Sequence, residues 1–405
     1  MKNKTSDKPK KVVKLRHRFF MNFGRFITYL YSKLFYRIKV EKFKDQGKRN
    51  YLILFNHQTS FDQFFVLYAI KGAPVFIAGD DILSNGFISR VIDFCWGPIP
   101  IKKQKHDPKA VMQCLRAARS GATVSFSPEG HRTFSGETCY INPAIVPLIQ
   151  HLKLPVAFFM IRGGFGAEPR FGTNHVRRGR MTAGVTRVLE YDEYKDMTKD
   201  ELYEVVKKEL YYNDAECGER FYYKKSAEYL ERVIYVCPEC GLSTFTSHND
   251  TLTCTHCGKK AVYGSDMKFT GDFPFKTVLD WSKYQEDFIT KVDFSKYVDS
   301  PAYKEKCRFS LVIPTKKRIL LHKNADISLY GDKIVVEKGE KKYVFDFDNV
   351  EAASVLGRNK FNIYYDGKLY QVKGGKPFNA IKYLHFYNIS KQKKGGKTSD
   401  FIFGI

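Results

Sequence analysis

Apolar residues near the N-terminus recur at helical spacing. Between Phe19 and Phe35 they fall every three or four positions, with Arg25 and Lys33 among the polar positions that separate them. This spacing predicts an amphipathic helix with a stripe made mostly of phenylalanine. No window holds the roughly twenty uncharged apolar residues that a membrane-spanning helix needs. The stripe is therefore expected to lie in a membrane interface or to pack on the protein core, and the basic segment before it favours the interface.

The next part of the chain, residues 51–190, alternates short apolar runs with amphipathic stretches. Four runs predict buried strands, at 51–55, 74–78, 123–127 and 155–161. Two amphipathic stretches predict helices between them, at 60–71 and 107–120. Alternation at this period is typical of an α/β sheet with covered faces.

The C-terminal part changes to alternating strands. Residues 333–347 and 360–374 each predict a hairpin, and the second hairpin contains an Asp366-Gly367 turn. A helical stretch follows over 377–390. This order resembles pleckstrin-homology-like or GRAM-like domains, which are often associated with lipid surfaces or protein partners. A purely structural β module would show the same order.

The charge of the chain predicts an anionic partner. The 405 residues include 68 Lys and Arg against 43 Asp and Glu, for a formal net charge of +25. Eight of the first eighteen residues are Lys or Arg, directly before the Phe-rich stripe. That placement fits an anionic membrane surface better than nucleic acid. Nine cysteines in a chain of this length are too few for a disulfide scaffold and indicate a reducing compartment.

Four of the cysteines form two C-x2-C pairs. Cys237 and Cys240 are separated from Cys254 and Cys257 by thirteen residues. Four thiolates at this spacing can close a tetrahedral zinc site that has no open coordination position, so we expect a structural zinc ion. A zinc ribbon is also a common nucleic-acid module, but residues 237–257 contain no Lys or Arg. Nucleic acid is therefore not the expected partner.

A histidine and an aspartate follow the first predicted strand. His57 and Asp62 stand five positions apart at a strand-to-helix turn, and Ser60 with Gln63 can cap the following helix. An aspartate in the first helical turn can accept the imidazole Nδ1–H and leave Nε2 to act as a base. A surface histidine beside a helix-capping aspartate is the plainer interpretation of this pair alone.

A second loop of polar residues follows the run at 123–127. It contains Glu129, Gly130, His131 and Arg132. Gly130 permits close backbone approach, and the planar guanidinium of Arg132 suits a phosphate. A surface turn with a solvated Arg–Glu pair is the alternative interpretation.

The two loops together resemble the glycerolipid acyltransferase family, whose best-known members acylate lysophosphatidic acid. Residues 56–62 are similar to its N-H-x4-D block, and residues 127–133 to its F-P-E-G-T-R-S block. A further block, G-x-I-F-I-x-R, is similar to residues 97–103. His131 stands where the family usually has Thr, and Lys103 where it usually has Arg. Both departures fall at the phosphate site that the resemblance implies.

The resemblance implies transfer of a fatty acyl group from a thioester donor, acyl-CoA or acyl carrier protein. The lysophospholipid acceptor would be 1-acyl-glycerol 3-phosphate, acylated at its sn-2 hydroxyl to give phosphatidic acid in phospholipid synthesis. His57 would be the general base that Asp62 orients. Alternatives in the same class are glycerol 3-phosphate or another lysophospholipid as acceptor. Outside the class, the chain would be a zinc-ribbon scaffold or nucleic-acid protein with an inactive acyltransferase-like domain.

The remaining implied site residues bind the acceptor. Arg132 with Lys103 would hold its phosphate, and Glu129 and Gly130 would shape the same site.

The expected architecture is an α/β acyltransferase domain with a mixed sheet covered by helices, then a small zinc ribbon and a C-terminal β-rich PH-like domain. We expect a cytoplasmic protein bound peripherally to the membrane. The expected segments are a basic arm with an amphipathic helix (1–45), the acyltransferase domain (46–197), a helical linker (198–232), the zinc ribbon (233–265), a second helical linker (266–306) and the β-rich domain (307–405).

Overall fold

The computed structural model describes residues 12–79, 87–101, 107–313, 317–393 and 395. The α-helices are α1 (Leu15–Tyr31), α2 (Asp62–Ala69), α3 (Phe87–Trp96), α4 (Pro108–Arg119), α5 (Ile145–Leu152), α6 (Gly164–Ala167), α7 (Tyr191–Tyr194), α8 (Lys199–Leu210), α9 (Val278–Lys291) and α10 (Ala380–Lys393). The strands of the N-terminal half are β1 (Ile38–Val40), β2 (Leu52–Phe55), β3 (Val75–Gly79), β4 (Ile99–Ile101), β5 (Val124–Phe126), β6 (Val156–Arg162) and β7 (Met181–Leu189).

The strands of the N-terminal half form one mixed sheet, in the order β1-β7-β6-β2-β5-β3-β4. Strands β6 and β7 pair antiparallel, and the other neighbours pair parallel. The central strands are continuous buried runs rather than alternating ones, because helices cover both faces of the sheet. The mixed sheet expected from the sequence is confirmed, and each strand and helix predicted between 51 and 161 is present.

Helix α1 turns its aromatic stripe outward. The residues that it buries are His17, Met21, Gly24 and Thr28, on the face that contacts α2 and α3. The apolar residues of the opposite face stay exposed, and Phe23 is 57% exposed. The exposed apolar residues of α1 and of the π-helical turn after it are Leu15, Phe19, Phe23, Phe26, Ile27, Leu30, Leu34 and Phe35. Nowhere in the described ranges is a helix both long enough and apolar enough to cross a bilayer.

The segment after the N-terminal sheet is less helical than the sequence indicates. Helix α8 begins with a capping box formed by Thr198 and Glu201, but the helix ends at Leu210 rather than near 232. The chain leaves the helix because Tyr212 pairs with Thr138: the Thr138 N–H donates to the carbonyl of Tyr212, and the Tyr212 N–H donates to the hydroxyl oxygen of Thr138, both at 2.9 Å. Short 3-10 turns at 214–216 and 230–232 follow.

The four paired cysteines lie in a small antiparallel unit. Its strands are β8 (Val236–Cys237), β9 (Gly241–Leu242), β10 (Phe245–His248), β11 (Thr251–Cys254), β12 (Lys260–Tyr263) and β13 (Phe269–Gly271). Helix α9 packs on this unit through Trp281, which is fully buried and donates its indole N–H to the carbonyl of Val236 at 2.9 Å.

The C-terminal part is a curled antiparallel half-barrel with α10 packed against it. Its strands are β14 (Tyr303–Ile313), β15 (Lys317–Leu329), β16 (Lys333–Lys338), β17 (Lys341–Asp346), β18 (Val350–Leu356), β19 (Lys360–Tyr365) and β20 (Lys368–Gly374). Both predicted hairpins are confirmed. In the second, Asp366 and Gly367 have φ values of 50° and 65°, as a type I′ turn requires.

One hydrophobic core connects these parts. It extends from one face of the N-terminal sheet, the face that contains Ile53 and Phe159, through the cysteine-bearing strands and α9, into the half-barrel. A second cluster covers the other face of the N-terminal sheet, beneath α4, α5 and α8. Because the first cluster is continuous, the C-terminal half-barrel is packed against the N-terminal domain and not attached to it by a loose linker.

Candidate active site

The candidate site lies where three adjacent parallel strands end. Strand β2 pairs parallel with β5 on one side and with β6 on the other. The carboxyl ends of all three therefore meet at one edge of the sheet, where α/β folds commonly place ligands. The segment after β2 contains His57 and Asp62, the segment after β5 contains Glu129 and Arg132, and the segment after β6 contains Glu168.

The turn after β2 is held by acidic side chains. Each backbone N–H from His57 to Ser60 donates to an acidic side chain, and none of the four points to solvent. The bonds run from His57 to Glu129 (2.7 Å), from Gln58 to Asp62 (2.7 Å), from Thr59 to Asp62 (2.9 Å) and from Ser60 to Glu168 (3.1 Å). The position of the His57 side chain is thus fixed by three different acids.

Asp62 also contacts the imidazole directly. Its Oδ2 lies 2.8 Å from Nδ1 of His57, and its Oδ1 accepts the hydroxyl of Thr59 at 2.6 Å. The Asp62 side chain is fully buried, whereas that of His57 is 26% exposed. A carboxylate at Nδ1 holds the tautomer that carries the proton there, which directs the basic Nε2 elsewhere. The structure brings the two residues together as the sequence predicts.

Glu129 connects the first two loops. Its two side-chain oxygens accept the N–H groups of His57 and Cys139, both at 2.7 Å. Glu129 as a whole is 1% exposed. Burial raises the pKa of the Glu129 carboxyl to about 8. Gly130, beside it, is exposed with φ at 69°, a left-handed conformation that favours glycine.

Glu168, in the segment after β6, holds the same turn. Its carboxylate accepts the hydroxyl of Tyr36 at 2.5 Å, the N–H and hydroxyl of Ser60, and a guanidinium N–H of Arg132 at 3.0 Å. Burial alone raises the pKa of this carboxyl, but the Arg132 charge and the hydrogen bonds outweigh burial and keep the pKa below its ordinary value. Glu168 is therefore a buried carboxylate that stays ionised.

Of the two predicted phosphate ligands, Arg132 and Lys103, the structure describes only Arg132. Arg132 lies beside the His57 turn, where its Nε donates to the carbonyl of Gln58 at 3.4 Å and its Nη2 to the carbonyl of Glu168 at 2.6 Å. Its side chain is 14% exposed. Lys103 lies outside the described residues.

The four paired cysteines converge on one point. The Sγ atoms of Cys237 and Cys257 are 3.7 Å apart, those of Cys240 and Cys254 are 4.0 Å apart, and all four lie within 4.8 Å of one another. A zinc ion about 2.3 Å from each of four sulfurs places those sulfurs about 3.8 Å apart. The cluster has the size and donor set of a tetrahedral metal site.

Sequence inspection missed Glu168 and Tyr36. Glu168 follows the short helix α6 in a glycine-rich segment whose start is fixed by Asp214, which accepts the N–H groups of Gly163 and Phe165. The only sequence signal was an acidic residue shortly after the predicted strand at 155–161. Because β6 is parallel to β2, that residue had to lie at the same edge as His57.

The pKa of Glu129 makes a prediction for stability. The folded protein retains this proton up to about pH 8, whereas an unfolded chain releases it near 4.5. Between these values the folded state binds more protons, so the free energy of unfolding falls as pH rises, by up to about 1.4 kcal/mol per pH unit. Glu129→Gln should remove this contribution, as measured by urea unfolding at about pH 5.5 and 7.5. Equal pH slopes for the two proteins would contradict the assignment.

Comparison with known proteins bears on the N-terminal domain. Residues 37–161 match the acyltransferase family. The chain is similar to the structure of the 1-acyl-sn-glycerophosphate (LPA) acyltransferase PlsC from Thermotoga maritima, with 17% identity, a TM-score of 0.39, and 47% of this chain and 77% of that chain covered. It is also similar to the N-terminal PH domain of human ARAP2, with 16% identity, a TM-score of 0.19, and coverage of 24% and 84%. No curated protein matches in sequence. The family match spans His57, Asp62, Glu129 and Arg132, and residues 37–161 are therefore an acyltransferase domain.

Proposed function

We propose that this protein transfers a fatty acyl group from acyl-CoA or acyl carrier protein to the sn-2 hydroxyl of 1-acyl-glycerol 3-phosphate, giving phosphatidic acid. The observation that carries the proposal is the His57–Asp62 pair, held at 2.8 Å within the segment that matches the acyltransferase family. The choice of a glycerol-phosphate acceptor is supported by the similarity of residues 127–133 to the family block that contains an arginine.

The geometry supports direct transfer with His57 as general base. Nε2 would take the proton of the acceptor hydroxyl as its oxygen attacks the thioester carbonyl carbon. Collapse of the tetrahedral intermediate breaks the carbon–sulfur bond, and the imidazolium returns the proton to the leaving thiolate. Asp62 keeps the ring oriented and stabilises the imidazolium through Nδ1. No enzyme nucleophile is required by this sequence of steps.

The His57 turn supplies no donors for the oxyanion of that intermediate. Its four N–H groups, from His57 to Ser60, are already bonded to Glu129, Asp62 and Glu168. The proposed role of the turn is therefore to position the base, and charge on the thioester oxygen has to be stabilised by other groups.

Arg132 is the proposed ligand of the acceptor phosphate. Within the described residues, three of its five N–H groups donate to Gln58 and Glu168. The other two would donate to a phosphate oxygen. Lys103, Glu129 and Gly130 keep the roles that the sequence resemblance implies for them, as proposals.

The exposed face of α1 is the proposed membrane-binding surface. Helix α3 extends it with Phe87 and Phe94, which are 77% and 51% exposed, and Phe20 contacts Phe94 at a centroid distance of 5.9 Å. At the other end of α1, Tyr31 stacks on Phe61 at 4.6 Å, directly before Asp62. The apolar surface therefore reaches the candidate site, where a lipid acceptor would arrive from the membrane.

The cysteine cluster is the proposed site of a structural zinc ion. Its four donors satisfy a tetrahedral ion completely, which leaves no position for substrate. Cys237 and Cys254 also belong to the hydrophobic core that joins the two halves of the molecule. The zinc would stabilise the unit on which α9 packs and would take no part in acyl transfer.

The proposed reaction makes a prediction for His57. Thiol release from oleoyl-CoA should require lysophosphatidate in mixed micelles, and His57→Ala should lower the rate at least about a hundredfold, because the hydroxyl loses its base. His151→Ala, an exposed histidine outside the site, is the control and should retain the wild-type rate. Undiminished thiol release by His57→Ala would contradict the mechanism. Activity with other lysolipids alone would change the acceptor and keep the base.

The proposed membrane surface makes a second prediction. Phe23→Asp with Phe26→Asp should weaken binding to phosphatidylglycerol vesicles at least about tenfold, because each phenylalanine loses its transfer into the interface. Tyr222→Asp, at a side chain that is 56% exposed outside α1, should bind like the wild type. Equal vesicle binding by all three proteins in a sedimentation assay would rule out α1 as the membrane-binding surface.

The proposed zinc site makes a third prediction. Elemental analysis should find one zinc per chain in the wild type and none in Cys254→Ala, with a lower melting temperature for the variant. Cys217→Ala, a cysteine outside the cluster, should keep the metal. A folded wild type that contains no zinc, or a Cys254→Ala variant that retains it, would argue against the site.

A further inference from the structure

The C-terminal half-barrel contacts the candidate site through one turn. The turn between β18 and β19 contains Gly357 and Arg358. Nη2 of Arg358 lies 3.3 Å from Oε1 of Glu168, and its Nη1 donates to the side-chain carbonyl of Asn174. The Arg358 side chain is 19% exposed. A residue 190 positions away in sequence therefore shares the carboxylate that holds the Ser60 N–H.

A second arginine fixes the same turn from the other side. Arg170 donates from Nε to the carbonyl of Gly357 at 2.7 Å and from Nη2 to that of Val355 at 3.1 Å. Its Nη1 donates to the carbonyl of Arg132 at 2.6 Å. Arg170 is 4% exposed, with its guanidinium 3.9 Å from the ring centre of Phe134. One buried side chain thus connects the backbone of the half-barrel to the backbone of the loop after β5.

A third arginine holds the two parts together further away. Arg232 donates from Nε to the carbonyl of Lys376 at 2.5 Å and from Nη1 to those of Phe171 and Gly172. It is 6% exposed. The position of the 357–358 turn relative to Glu168 is therefore set by several buried contacts, and Arg358 is held against the carboxylate by the fold.

Arg358 places a second positive charge beside Glu168. The carboxylate side chain is 6% exposed and lies between two guanidinium groups, those of Arg132 and Arg358. A buried carboxylate is stable as an ion only when it is paired and hydrogen-bonded. Arg358 is the second cation in contact with this carboxylate, and Glu168 in turn accepts the N–H and hydroxyl of Ser60, three residues after His57.

We propose that Arg358 of the C-terminal half-barrel is a positioning residue for acyl transfer, acting through Glu168 on the turn that presents His57. The inference rests on the proposed function, because it assigns His57 as the base whose position matters. The half-barrel would then contribute one residue, Arg358, to the proposed acyltransferase site. Residues 37–161, which match the family, contain neither Glu168 nor Arg358.

The kinetic test compares full-length Arg358→Ala and Arg358→Lys with Arg308→Ala, an exposed arginine on β14 of the same half-barrel. With oleoyl-CoA and lysophosphatidate, Arg358→Ala should lower kcat about tenfold or more and leave both KM values within about twofold, because misplacement of the base affects the reaction and not binding. Arg358→Lys should recover part of the loss, and Arg308→Ala should match the wild type. A raised KM for the acceptor at unchanged kcat would overturn positioning and make Arg358 a phosphate ligand.

A second measurement is independent of activity. Amide hydrogen exchange of the peptide that covers 57–62 should be about tenfold faster in Arg358→Ala than in Arg308→Ala, because Glu168 no longer holds the Ser60 N–H firmly. Glu168→Gln should produce the same increase, and adding Arg358→Ala to it should produce little more. Unchanged exchange in Arg358→Ala would overturn the inference even if activity fell.

The His57→Ala protein separates the two possible failures. If His57→Ala is inactive and Arg358→Ala is as active as the wild type, the positioning role is wrong and the proposed function stands. If His57→Ala retains full activity, the proposed function is wrong and the positioning role falls with it, whatever the exchange data show.

Discussion

The site depends on a requirement of the backbone between His57 and Ser60. Four consecutive N–H groups in a tight turn have no partners in secondary structure, and burial without partners would cost free energy for each of them. The protein satisfies all four with side-chain oxygens of Glu129, Asp62 and Glu168. Each acid comes from a different loop or helix, so the turn forms only when these parts are in register. The arrangement fixes the position of His57, the proposed base, and requires three buried acids to do so.

Each of these buried acids contacts specific partner groups in the surrounding fold. Asp62 lies opposite the His57 imidazole, and Glu168 lies between Arg132 and Arg358. Glu129 has two amide donors, and burial raises its pKa to about 8. The second arginine at Glu168 comes from the half-barrel, which shares one continuous hydrophobic core with the N-terminal sheet. The exposed aromatic surface of α1 ends at the same turn, where Tyr31 stacks on Phe61.

The sequence predicted the local parts of this site and not the distant ones. His57 and Asp62 are five positions apart, so a strand-to-helix turn was enough to bring them together. Ser60 and Glu168 are 108 positions apart, and Glu168 and Arg358 are 190 apart. Such pairs follow from strand order and domain packing, which no local pattern specifies. The mixed sheet and the C-terminal hairpins could be predicted because hydrophobic periodicity and turn residues determine them locally.

The packing of the N-terminal helix α1 could also be predicted only in part from the sequence. Its periodicity predicted an aromatic stripe but not which way that stripe faces. The direction is set by the opposite face, where Gly24 and Thr28 allow α1 to pack closely on α2 and α3. Helix α8 ended early for a comparable reason, since Tyr212 pairs with Thr138 instead of continuing the helix. Tertiary hydrogen bonds outweighed local propensity there.

The most direct test of the central claim is the rate of thiol release from oleoyl-CoA by Asp62→Asn, with lysophosphatidate as acceptor. Asparagine cannot accept all the donors that meet at Asp62, and its amide hydrogens would face the N–H groups of Gln58 and Thr59. We predict a folded protein whose rate is at least about a hundredfold below that of the wild type. A folded Asp62→Asn protein with the wild-type rate would show that the turn held by these acids does not position His57 as the proposed base.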